Sequence, residues 1–146
     1  MTASVTELPF NAFLGIQHGA SAAEVLRLPD SPNYLNHLGT VHASAQLALA
    51  EASSGEFLLR HLGSADGLVP IVRRLQAKFR HPARGCLVSA ATVAPGALDL
   101  ISADLARKGR ALVSVAVELH DESGAHTLSA EIEWFIRRSA PNDANT

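Results

Sequence analysis

At 146 residues the chain is long enough to bury a substantial core, and it reads as one domain over 1–138 followed by a polar tail over 139–146. Apolar residues make up 47% of it and the net charge is only −2, which argues against disorder and gives no electrostatic case for nucleic acid as a partner. No apolar run is long enough to cross a membrane, and the single cysteine, Cys86, excludes an internal disulfide framework and fits a reducing cytoplasm.

The opening stretch, "MTASVTELPF", lacks a basic region followed by an apolar core, so no signal peptide is expected. A first strand is predicted in "SAAEVLRLP", ended by Pro29 and the turn-rich "DSPN". A long helix follows from about Thr40 to His61, with Thr40 as the expected N-cap, and "LGSADG" breaks it. In "RRLQAKFR", Leu75, Ala77 and Phe79 alternate with Arg74, Gln76, Lys78 and Arg80, the pattern of a half-exposed strand. "HPARG" turns the chain into the strand "CLVSAATV", where Cys86 reads as a small buried hydrophobe. "GALDLISADLARKG" predicts a short helix closed by a basic last turn and Gly109. Two strands end the fold as a hairpin. Ala111, Val113, Val115, Val117 and Leu119 share one face, as do Leu128, Ala130, Ile132, Trp134 and Ile136. The tail "SAPNDANT" is expected to be disordered. The class is α+β, with one long helix packed on an antiparallel sheet of about five strands.

Unrolled at about 100° per residue, the long helix places His42, Gln46, Ser53 and Arg60 in one narrow stripe, the expected solvent face. Glu51 projects nearly opposite, between Leu47 and Leu58 on one side and Ala48 on the other. A carboxylate on an apolar arc must be hydrogen-bonded, paired or raised in pKa. Such groups are common at functional sites. His37 and His42 do not make a metal site, because no third or fourth ligand stands at a suitable spacing.

The run "NHLGTVHASAQLALAE" resembles the signature of the hotdog-fold acyl-CoA thioesterase superfamily, in the branch that includes the phenylacetyl-CoA thioesterases. That signature reads Asn-x-x-Gly-Thr-x-His-Gly-Gly, then an apolar helix reaching Asp or Glu. Asn36, Gly39, Thr40 and His42 match it in type and spacing, and Glu51 falls at the carboxylate position. "FRHPARG" is similar to the family's strand end, and the extra helix before the last two strands resembles a less characterised bacterial branch. The chain departs from the pattern at Ala43 and Ser44, which stand where the family has Gly-Gly. It also has His81 where the family can hold a serine near the attacking water.

The resemblance implies a hotdog fold, in which a five-stranded antiparallel sheet wraps one long central helix. It also implies hydrolysis of an acyl thioester carried by CoA or an acyl carrier protein, with no cofactor. Glu51 would act as general base or as nucleophile, and the Ala43 backbone N–H at the helix N-terminus would hold the oxyanion. Asn36 would orient water or the carbonyl, and His42 would hold the loop. Gly39, Thr40, Ser44, His81 and Arg84 would contact the substrate. Arg84, Arg107, Lys108 and Arg110 are the candidates for nucleotide phosphates, with solvated surface as their default role.

Distance along the helix shapes this site. Ala43 and Glu51 are eight residues apart, about 12 Å at 1.5 Å per residue, too far for one carbonyl carbon to be served by both. The oxyanion donor is therefore expected from a second copy in a twofold dimer, with a dimer of dimers left open. Two rival readings stand beside hydrolysis: a non-catalytic acyl-binding module, and a hotdog hydratase or dehydratase acting at a carbon–carbon bond.

Overall fold

The computed structural model describes residues 4–143. It opens with a 3-10 turn at Val5–Glu7, helix α1 (Pro9–Leu14) and strands β1 (Gln17–His18) and β2 (Leu26–Leu28). A second 3-10 turn at Pro32–Tyr34 leads to the long helix α2 (Ala43–Leu62), then strands β3 (Leu68–Phe79) and β4 (Leu87–Thr92). Helix α3 (Ala97–Lys108) precedes the closing hairpin of β5 (Arg110–Asp121) and β6 (His126–Arg138). All strand pairs are antiparallel, in the order β1-β2-β4-β5-β6-β3, and α2 packs against β2, β3, β4, β5 and β6. This is the expected α+β arrangement of a sheet around one long helix, with a sixth strand added.

The hairpin sets the core because its alternation has one consistent inner face. Val115, Val117, Leu119, Leu128 and Ile132 are fully buried there, with Ala111, Val113, Ala130, Trp134 and Ile136 nearly so. Two elements escape the sequence pattern. Strand β1 is only two residues long, too short to show alternation, and α1 is a six-residue helix with Pro9 in its first turn. The expected first strand shrinks to Leu26–Leu28. Cys86 lies just before β4 and is half-buried, accepting a hydrogen bond from Arg27 at 3.1 Å.

The helix faces are the main correction. Gln46 and Ser53, placed by periodicity on the solvent face, are buried at 4% and 0% exposure, and Ser53 faces the sheet. Ser53 Oγ donates to the Leu49 carbonyl at 2.6 Å and meets Ser89 Oγ at 2.6 Å, so its hydroxyl is satisfied inside the core. Small polar side chains of this kind can be buried at little cost when they bond locally, which periodicity alone does not register. The half-exposed side of α2 is the one that carries Leu47, Ala48, Glu51 and Gly55.

Strand β3 lies at a sheet edge and is unpaired on its outer side among the described residues. A register shift between Val72 and Arg74 bends it, and Leu75 is half-buried as expected. Ala77 and Phe79, on the same inner face, stay exposed. In the tail, Arg137 clamps Asp143 at 2.8 and 3.1 Å, so residues 139–143 dock on the sheet, whereas 144–146 lie outside the described residues.

Candidate functional site

The site begins with a tight loop that brings Leu35 and Val41 together as a β-bridge. Asn36 organises it. Its Oδ1 accepts from the N–H groups of Leu38 and Thr40 at 2.9 and 3.1 Å, and its Nδ2 donates to Thr40 Oγ1 at 2.9 Å. Gly39 sits at φ 74°, a left-handed conformation that a side chain would strain. Thr40 is buried and bound to Asn36, so it does not cap the helix.

His42 is the N-cap instead, with Nδ1 accepting the Ser44 N–H at 3.0 Å. Periodicity and cap preference favour threonine, but Asn36 has already engaged Thr40, and an imidazole nitrogen can serve the same acceptor role. The consequence is specific. Of the backbone donors at the helix start, His42 N–H bonds Tyr34 at 2.7 Å, Ser44 N–H bonds the His42 ring, and Ala45 N–H bonds the His42 carbonyl at 3.1 Å. Ala43 N–H alone has no partner among the described residues. It stands at the positive end of a 20-residue helix.

A cleft of about 420 Å³ opens at this helix end. It brings together Asn36, Thr40, Ala43, His81 and Arg84 from the expected set, with Leu38 and Phe79 as apolar walls. His81 is exposed, and its Nδ1 lies 2.9 Å from the His126 carbonyl oxygen. Arg80 and Gln46 also line the cleft, and sequence reasoning missed both. Arg80 read as the outer face of an alternating strand and Gln46 as the solvent stripe of the helix, so neither carried a signal. Arg107 and Lys108 are instead paired with Asp104 on α3, at 3.5 and 3.7 Å. Among the described residues, no group of three His, Cys, Asp or Glu side chains is gathered as metal ligands would be.

Glu51 is absent from that cleft, two turns further along α2. It is half-buried, its carboxylate has no partner among the described residues, and burial pushes its pKa above the ordinary range. Ser54 anchors this turn: its Oγ donates to the Glu51 carbonyl at 2.7 Å and accepts from Trp134 Nε1 at 2.8 Å. One helix thus presents a backbone N–H and a carboxylate, both without a partner among the described residues, about 12 Å apart.

Residues 12–136 match the model of a family described as a domain of unknown function, DUF4442. The chain belongs to the DUF4442 family. No curated protein matches it. Among solved structures it is similar to a Pseudomonas aeruginosa protein of unknown function described as a probable thioesterase. The identity is 25% over 92% of this chain and 91% of that one, with a TM-score of 0.76. A Haemophilus influenzae thioesterase shares 15% identity over 95% and 90% of the two chains at a TM-score of 0.72. A Bacillus halodurans protein solved with CoA shares 19% over 87% and 74%, at 0.67. The DUF4442 chain therefore has the hotdog fold of the thioesterase superfamily, the fold expected from its helix motif.

Proposed function

We propose that this DUF4442 protein hydrolyses an acyl thioester, an acyl-CoA, to the free acid and the thiol. The observation that carries the reading is Glu51, a half-buried carboxylate with no partner among the described residues, on the half-exposed side of the central helix. The similarity to a probable thioesterase and to a protein solved with CoA supports the same reading. In the reaction, Glu51 takes a proton from water as the water oxygen attacks the thioester carbonyl carbon. The oxyanion is held by the Ala43 N–H. Collapse of the intermediate breaks the carbon–sulfur bond, and the proton passes to the departing thiolate. Direct attack by Glu51, giving a mixed anhydride that water then cleaves, uses the same residues.

The two groups act together only across a twofold dimer in which each site takes Glu51 from one copy and Asn36 and Ala43 from the other. The surface supports that assembly. Leu38 is 71% exposed and Phe79 46% exposed, both line the cleft, and among the described residues the neighbouring edge of β3 has no strand beside it. Arg80 and Arg84 line the same cleft, and their guanidinium groups would meet the phosphates of CoA.

The test is thiol release from a panel of acyl-CoAs, with binding measured in parallel, for the native protein and for Glu51→Gln. Release by the native protein, reduced by about 10²–10⁴-fold in the variant while binding persists, is the expected result. Binding without release by the native protein would favour the acyl-binding module. Release unaffected by the substitution would remove Glu51 from the mechanism.

A further inference from the structure

A second cavity, of about 200 Å³, lies beside the C-terminal half of α2. Every residue that lines it is apolar or glycine, unlike the cleft at the helix start, where polar and charged side chains are mixed with apolar ones. Gly55 is its first helix residue, one turn beyond Glu51, and Leu58 and Leu62 continue the same wall. Trp134 forms the opposite wall and is fixed through Ser54 to the Glu51 turn. Val5 and Leu8, from the segment before α1, also line it.

Position 55 matters most. A Cβ placed there would stand 3.4 Å from Trp134 Cζ2, so any larger side chain would project into the gap between the helix and the tryptophan. Glycine is a poor helix former, about 1 kcal/mol worse than alanine in a helix interior. Its presence mid-helix beside an apolar cavity leaves open space that a side chain would fill.

We propose that this cavity receives the tail of the acyl group, and that Gly55 sets how long that tail can be. The proposal rests on the thioesterase reading and names its substrate class: an acyl group with an uncharged, apolar tail of medium length. A dry apolar cavity of about 150 Å³ accommodates benzene, so about 200 Å³ suits roughly six to eight carbons. Hydroxylated or carboxylated tails should bind less well, because the walls offer their polar atoms no partner.

The experiment compares straight-chain acyl-CoAs from acetyl to palmitoyl in the native protein, Gly55→Leu and Leu62→Ala, with folding checked by circular dichroism. Native activity should peak at hexanoyl to octanoyl. Gly55→Leu should lower octanoyl kcat/KM by about tenfold or more and leave acetyl within about twofold, given the 10–200-fold worth of a methylene in such pockets. Leu62→Ala should shift the optimum to longer chains. Octanoate binding, measured by calorimetry, reads the cavity without the reaction. Octanoate held by the native protein and lost in Gly55→Leu supports the proposal even if no thioester is hydrolysed, a result that would sink only the hydrolase reading. Hydrolysis whose chain-length profile is the same in all three proteins overturns the proposal while hydrolysis itself stands. Octanoate binding that is absent, or unchanged by Gly55→Leu, also overturns it.

Discussion

Replacing Ala43 by proline removes one hydrogen atom that the proposed chemistry needs and almost nothing that the fold needs. Ala43 is the first residue of α2, where its N–H has no intrahelical acceptor, so proline forfeits no backbone bond of the helix. The preceding residue tolerates it as well. His42 lies at φ −60° and ψ 141°, within the extended region that proline imposes on its predecessor. The remaining helix-start donors keep their partners, because Ser44 and Ala45 still bond to His42. The stability change should therefore stay within about 1 kcal/mol, against roughly 3 kcal/mol for proline inside a helix. The kinetic loss should be far larger. Removing one oxyanion donor costs about 10²–10³ in kcat, or roughly 2.7–4 kcal/mol of transition-state stabilisation. Steady-state thiol release and urea denaturation on the same preparation separate the two effects. A folded Ala43→Pro protein that turns over within about threefold of the native rate would refute the assignment of this N–H.

Two further predictions concern Glu51 and its support. Burial raises the Glu51 pKa, so the folded state binds that proton more tightly than the unfolded chain. Its contribution to stability is fully present below the ordinary glutamate value and is lost as pH rises through the raised one. Glu51→Gln should accordingly be more thermostable than the native protein at pH 8 and indistinguishable from it near pH 4; a pH-independent difference in Tm would contradict the linkage. Ser54→Ala leaves the buried Trp134 Nε1–H without an acceptor and should cost about 1–3 kcal/mol in urea denaturation, whereas an unchanged midpoint would mean that the tryptophan finds another partner.

The sheet was the legible part of this chain. The inner face of the β5–β6 hairpin was readable because Val113, Val115 and Val117 fall on one side at a strict period of two, and all three are buried. The motif residues were legible as a local cluster, since Asn36, Thr40 and Ala43 do meet at one cleft. Orientation of the helix was not. Its buried side holds Gln46 and Ser53, whose polar side chains read as outward on a hydropathy pattern; the Ser53–Ser89 contact across 36 residues explains why Ser53 points inward. Short elements such as α1 and β1 depend on tertiary contacts, for example the Tyr34 hydroxyl donating to the Leu14 carbonyl, and carry no period of their own. The apolar cavity was invisible for a related reason, because its walls come from four separated segments.

The shared site can be tested by complementation between two inactive proteins. Glu51→Gln and Ala43→Pro homodimers are prepared separately, mixed, and allowed to exchange subunits, with exchange verified by mass spectrometry. In a mixed dimer one site then carries both changes and the other carries neither. Thioester hydrolysis should return, approaching half the native rate per mixed dimer. Verified exchange with no recovered hydrolysis would contradict the account, because every site would then draw both groups from a single chain.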